Sequence, residues 1–131
     1  MMQNRFSWGL QILIALILGQ TLFFKFGGAP ESIYIFETLG VEPWGRYAAA
    51  TIESIAVVLL LLPRWNVFGA FLAGCSMIGA IAAHLGKLGI VVADDGGLLF
   101  GLALVVLFCS ALLLFLRRRL VMDLLGRLPN P

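Results

Sequence analysis

The chain has 131 residues, 61% of them hydrophobic and only 12% charged, with a formal net charge of +2. Soluble domains carry about 25% charged residues, so lipid is the expected solvent for most of this surface. No basic face interleaved with aromatic residues is present, so nucleic-acid binding is not expected.

The N-terminus, MMQNRFSW, places one positive charge before a long apolar stretch. That stretch, 6–26, exceeds the roughly 7–15 apolar residues of a secretory signal. It is expected to stay as an uncleaved first span, ended by Gly27-Gly28. The second span covers about 45–62 and stops at Pro63. The third covers about 66–86 and the fourth about 97–117, where Arg117-Arg118-Arg119 ends the apolar run. Each approaches the ~20 residues that cross a hydrocarbon core. Strand periodicity is absent, and lipid demands that backbone polar groups be satisfied within the segment, so helices are predicted. The expected fold is all-α: an integral membrane four-helix bundle forming a single domain over 1–131.

The connections carry further signals. PESIYIFETLG reads as a short amphipathic helix in the first outer loop, either a connector or a lid. Pro30 suits its first position and Gly40 the position after its end. Ile33, Phe36 and Leu39 recur at helical spacing. The third span is crowded with Gly69, Ala73, Gly74, Gly79, Ala80 and Ala83. Small residues let helices approach closely in lipid, so this span is predicted to be the most buried. Cys75 and Cys109 form no C-x-x-C and lie in apolar runs, so they read as small apolar fillers. Asp95 reads as an N-cap candidate for the fourth helix. Asp94 and Asp95 alone supply too few oxygen ligands for a metal site.

Basic residues set the orientation. Arg5, Arg64, Arg117, Arg118, Arg119 and Arg127 fall on one side. Lys25, Arg46 and Lys87 fall on the other, mixed with Glu31, Glu37, Glu42, Asp94 and Asp95. The positive-inside rule places both termini in the cytoplasm. Trp8 and Trp65 then mark the inner interface, and Trp44 and Tyr47 the outer one.

Glu53 is the costly residue, a carboxylate inside the run YAAATIESIAVVLLLL. Such a group costs about 2.5–3.5 kcal/mol on insertion scales, and it is a functional-site hypothesis by default. At the helical rise, Glu53 lies roughly 10 Å below the outer boundary and Gln20 roughly 9 Å below it. Arg46, Ala49, Ala50 and Glu53 share one helical face, as do Thr21 and Lys25, and Ala80, His84 and Lys87. Converging faces would put Glu53 at the bottom of a funnel rimmed by Lys25, Arg46, His84 and Lys87, with Gln20 as an interhelical hydrogen-bond partner. Such a funnel could hold the polar head of a lipid-soluble molecule such as a quinone, or relay a proton. The competing reading is a structural ion pair from Glu53 to Lys25 or His84.

The stretch FFKFGGAPESIYIFETLGVEPWGRYAAATIESIAVVLLLLPRWNVFGAFLAGCSMIGAIAAHL resembles the DoxX family of small bacterial membrane proteins. That family combines a lysine closing the first helix, a glutamate inside the second, a basic residue before the third and a histidine near its end. Lys25, Glu53, Arg64 and His84 match those positions, and the likeness runs from about Gln11 to Phe115. The resemblance implies a multi-pass protein of the bacterial cytoplasmic (inner) membrane. Founding relatives are associated with a thiosulfate:quinone oxidoreductase, and others with complexes that handle thiol or oxidative stress. Without a C-x-x-C, dithiol chemistry is not expected here. No cofactor motif is evident, so electron transfer would need a quinone or a partner subunit.

Three functions remain open from the sequence. The first is a quinone- or redox-associated membrane subunit, working with a redox partner or as a homo-oligomer. The second is a non-catalytic scaffold or assembly factor in which Glu53 belongs to an ion pair. The third is a small proton-coupled transporter, weakened because the key glutamate of small multidrug transporters lies in the first helix.

Overall fold

The computed structural model describes residues 2–92 and 94–126. Arg127, grouped above with the inner basic residues, lies outside the described residues. Six helices follow in chain order: α1 (Met2–Gly27), α2 (Pro30–Thr38), α3 (Trp44–Leu61), α4 (Asn66–Ala83), α5 (Leu98–Leu116) and α6 (Arg118–Gly126). Helix α4 runs on without a break into a π-helical turn, His84–Leu88. No strand occurs among the described residues.

Four helices are long and apolar enough to cross a membrane: Arg5–Gly27, Trp44–Leu61, Asn66–Leu88 and Leu98–Leu116. Their ends follow local chemistry. Pro63 has no N–H to continue α3. Pro30 sits in the first turn of α2, and Gly40 follows that helix at φ 78°, a conformation glycine adopts without strain. Helix α6 is a departure from the sequence reading, which saw only an arginine cluster there. It has nine residues, none buried, with Met122 and Leu125 exposed.

The long helices close into a ring. Helix α1 packs on α3 and α5, and α4 packs on the same two, so α1 and α4 are diagonal partners. The core holds Ile14 and Leu18 of α1, Leu60 of α3, Ala70 and Ala73 of α4, and Val106 and Leu113 of α5. Large apolar residues also cover the outside: Phe23, Leu16, Phe71 and Phe108 are each more than 60% exposed. A soluble monomer rarely shows so continuous an apolar surface.

Helix α4 buries 39% of its apolar window, against 28% for each of the other three. Its small residues cause this. A Cβ on Gly69 would lie 2.6 Å from the backbone nitrogen of Leu60 and 2.9 Å from the carbonyl oxygen of Ala56. Only glycine permits that approach of α3 and α4. Ser7, Gln11, Asn66 and Ser110 are buried as well. The Gln11 side-chain amide donates to the Leu60 carbonyl at 2.7 Å. That carbonyl falls in the last turn of α3, where the Pro63 break leaves oxygens without helical donors.

Candidate functional site

A cavity of about 530 Å³ opens at the α2 end of the bundle. It lies among α1, α3, α4 and α5, and α2 forms its roof. Ser32, Ile35 and Phe36 of α2, with Leu39 just after its end, make one cavity-facing side at helical spacing. Leu18, Met77 and Leu102 supply apolar wall, while Thr21, Lys25, Glu53, Ser76, His84 and Asp95 supply the main polar groups.

Glu53 is 3% exposed. The Lys25 ammonium, from the last turn of α1, donates to both of its oxygens, at 2.8 Å to Oε1 and 2.6 Å to Oε2. Ser76 of α4 stands 3.5 Å from Oε1, and Thr21 of α1 stands 3.4 Å from Oε2. The Thr21 hydroxyl also reaches the Leu18 carbonyl at 2.8 Å, so its single proton is committed there. The strong contact of Glu53 is therefore the doubly bonded ammonium.

His84 begins the π-helical turn and is 5% exposed. Its Nδ1 lies 2.9 Å from the Gly89 carbonyl oxygen, and its ring packs edge-on to Phe100 at 5.5 Å between centroids. Asp95 occupies the loop before α5. It accepts from the backbone N–H groups of Val92, Gly97 and Leu99 at 3.0, 2.8 and 3.1 Å. The residue at the boundary of α5 is Gly97, so Asp95 caps the helix from two positions earlier. Burial acts to raise the Asp95 pKa. The three backbone donors and the nearby His84 outweigh it and hold the carboxyl below the ordinary aspartate value.

Of the six sequence candidates, Glu53, Lys25 and His84 line the cavity, and Gln20, Arg46 and Lys87 do not. Gln20 is exposed. It lies nine positions after buried Gln11, which at 3.6 residues per turn is half a turn round the helix. With the Gln11 face turned inward, Gln20 must face out. Lys87 is exposed because the π turn inserts extra phase after His84 and rotates it off the shared face. Arg46 is buried, but its guanidinium is held elsewhere. Nε and Nη2 both lie 2.9 Å from Glu42 Oε1, and Nη1 donates to the Lys25 carbonyl. Arg46 thus fastens the chain just before α2 to the chain just after it, and secures the roof from outside the cavity.

Two participants were not foreseen from the sequence, although one had a signal. Ser76, Ala80 and His84 follow at i, i+4 and i+8, so the polar face of α4 was readable two turns further down. Asp95 carried no such signal, because its place in the wall depends on the path of a loop. Cys75 is exposed and Cys109 buried, and both are free thiols. Among the described residues, no three His, Cys, Asp or Glu side chains are grouped to hold a metal ion.

No protein-family model matches the chain, and neither does any curated protein or any solved structure.

Proposed function

We propose that this chain is a DoxX-like multi-pass protein of the bacterial cytoplasmic membrane, with both termini in the cytoplasm. The cavity then opens in the outer half of the bilayer and takes the head group of a quinone-like molecule. In this reading the protein is a redox-associated membrane subunit, and the electrons come from a partner subunit or a second copy. The observation that carries it is a charged pair, Lys25–Glu53, on the wall of a cavity of about 530 Å³ with mainly apolar lining. An ion pair serving only to join α1 to α3 requires no adjoining space, and close packing around it would be the cheaper arrangement. Amphipathic ligands are commonly held in apolar pockets with a few placed polar groups.

The bidentate contact itself favours a second reading, a scaffold in which Lys25 and Glu53 clasp α1 to α3. The two separate in one experiment. Glu53→Gln is reconstituted in nanodiscs and titrated with decylubiquinone, with thermal unfolding followed in parallel. The pocket reading expects affinity to fall about tenfold or more, because Lys25 loses the counter-ion that holds its ammonium at the cavity wall, while the protein stays folded. Unchanged affinity in a folded variant overturns it. A melted variant that still binds when stabilised by lipid favours the clasp.

A further inference from the structure

The cavity has a second polar station at His84, and the Gly89 carbonyl fixes the sense of its Nδ1. A carbonyl oxygen only accepts, so the contact with Gly89 requires a proton on His84 Nδ1. In the neutral ring the lone pair then lies on Nε2, whereas an imidazolium would donate from both nitrogens. Nε2 has no hydrogen-bond partner among the described residues, and His84 lines the cavity.

The surroundings hold this arrangement. Phe100 packs edge-on to the ring. The π turn widens the helix at His84, and such turns occur frequently at functional sites. Gly89 has φ 77° and nothing within 4 Å of where a Cβ would stand, so its requirement for glycine is conformational rather than steric. That backbone conformation aims the Gly89 carbonyl back at the ring.

Across the cavity the polarity is opposite. Lys25 has three N–H donors and directs two at Glu53, which leaves the third without a partner among the described residues. Beside hydroxyls at Thr21 and Ser76 and the Asp95 carboxylate, which is engaged by backbone N–H groups, the site therefore offers a donor at Lys25 and, in the neutral ring, an acceptor at His84. Glu53, with both oxygens engaged, acts as counter-ion rather than as the ligand-facing group.

Building on the quinone reading above, we propose that His84 Nε2 accepts a hydrogen bond from a hydroxyl of the bound molecule. The cavity then selects the reduced, dihydroxy form of a quinone-type ligand over the dicarbonyl form. A hydroquinone donates a hydrogen bond from one hydroxyl to His84 and presents its other oxygen to Lys25. A dicarbonyl sets an oxygen lone pair against the lone pair of Nε2 and leaves that group unpaired, at a cost of about one hydrogen bond.

The chain has a single histidine, so its ring can be observed without assignment. The full chain, labelled with ¹⁵N-histidine, is placed in nanodiscs at alkaline pH and examined by NMR. The expected spectrum shows a protonated Nδ1 and a bare Nε2. The opposite tautomer overturns the proposal before any ligand is added. Decylubiquinol and decylubiquinone are then titrated separately. Decylubiquinol is expected to bind about tenfold tighter, the scale of one hydrogen bond, and to shift the Nε2 resonance. His84→Phe, which keeps an aromatic ring, is expected to remove the preference. Gly89→Ala provides a second variant in which the tautomer itself should change. Equal binding of the two forms to the wild-type chain overturns the role of His84 and leaves the cavity reading standing. Failure of both to bind overturns the cavity reading and this proposal with it.

Discussion

Lys25 and Glu53 sit on adjacent helices, α1 and α3, and the ammonium holds both carboxylate oxygens at 2.8 and 2.6 Å. The side chains are 17% and 4% exposed. Neither charge can be removed without stranding the other in an apolar bundle, so their energetics are coupled.

Removing one partner alone is expected to be the worst change. Lys25→Met leaves Glu53 buried and uncompensated, a situation that costs about 3–5 kcal/mol. The double variant, Lys25→Met with Glu53→Gln, should recover much of that loss. Thermal unfolding of the four proteins in one detergent measures the coupling. Additive losses would show that the pair does not act as a unit.

Gly69 and Gly74 lie on the same helix and predict opposite outcomes. Gly69→Ala drives a methyl group into the backbone of α3, and overpacking of this kind costs about 1–3 kcal/mol. A Cβ on Gly74 would stand 3.7 Å from the Ser110 Cβ, an ordinary contact. Gly74→Ala should leave the melting temperature nearly unchanged. A neutral Gly69→Ala would mean that α3 and α4 are further apart than described.

Gln11→Leu removes the donor to the Leu60 carbonyl and leaves that oxygen buried at the end of α3. Losing one such interhelical bond should cost about 1 kcal/mol. Hydrogen exchange at the C-terminal end of α3 should rise in the same variant, while exchange in α5 stays unchanged.

Asp95 gives a pH dependence with a definite sign. Its folded pKa lies below the ordinary aspartate value of about 3.9. It therefore contributes stability above the unfolded pKa, and that contribution is lost as pH falls toward the folded one. Asp95→Asn keeps the shape but not the charge, so it should be less stable than wild type near pH 7. The gap should narrow as the buffer is taken below about pH 4. A gap independent of pH would remove the charge from the account and leave only the shape of the loop.

Arg46 joins the two ends of the α2 segment through Glu42 and the Lys25 carbonyl. Arg46→Met should speed hydrogen exchange in α2 well before the long helices respond. Equal protection of α2 in both proteins would show that the roof is held by its apolar face alone.

The sequence by itself determined the number of spans, their approximate ends and Glu53 as the residue to explain. These are one-dimensional properties: a run of apolar residues is long enough or it is not, and a carboxylate within it is visible without any fold. The short helix over Pro30–Thr38 was legible for the same reason, since Pro30 and Gly40 act locally. Which polar groups meet was decided only by the tertiary structure. Gln20 and Gln11 differ by half a turn on α1, and only packing against α3 showed which of them faces inward. Lys87 shares a face with His84 in a regular helix and leaves it because the turn there is π. Arg46 found Glu42 and a backbone carbonyl instead of the cavity. Helical phase and loop path decide such meetings, and both are fixed by the way the ring of helices closes.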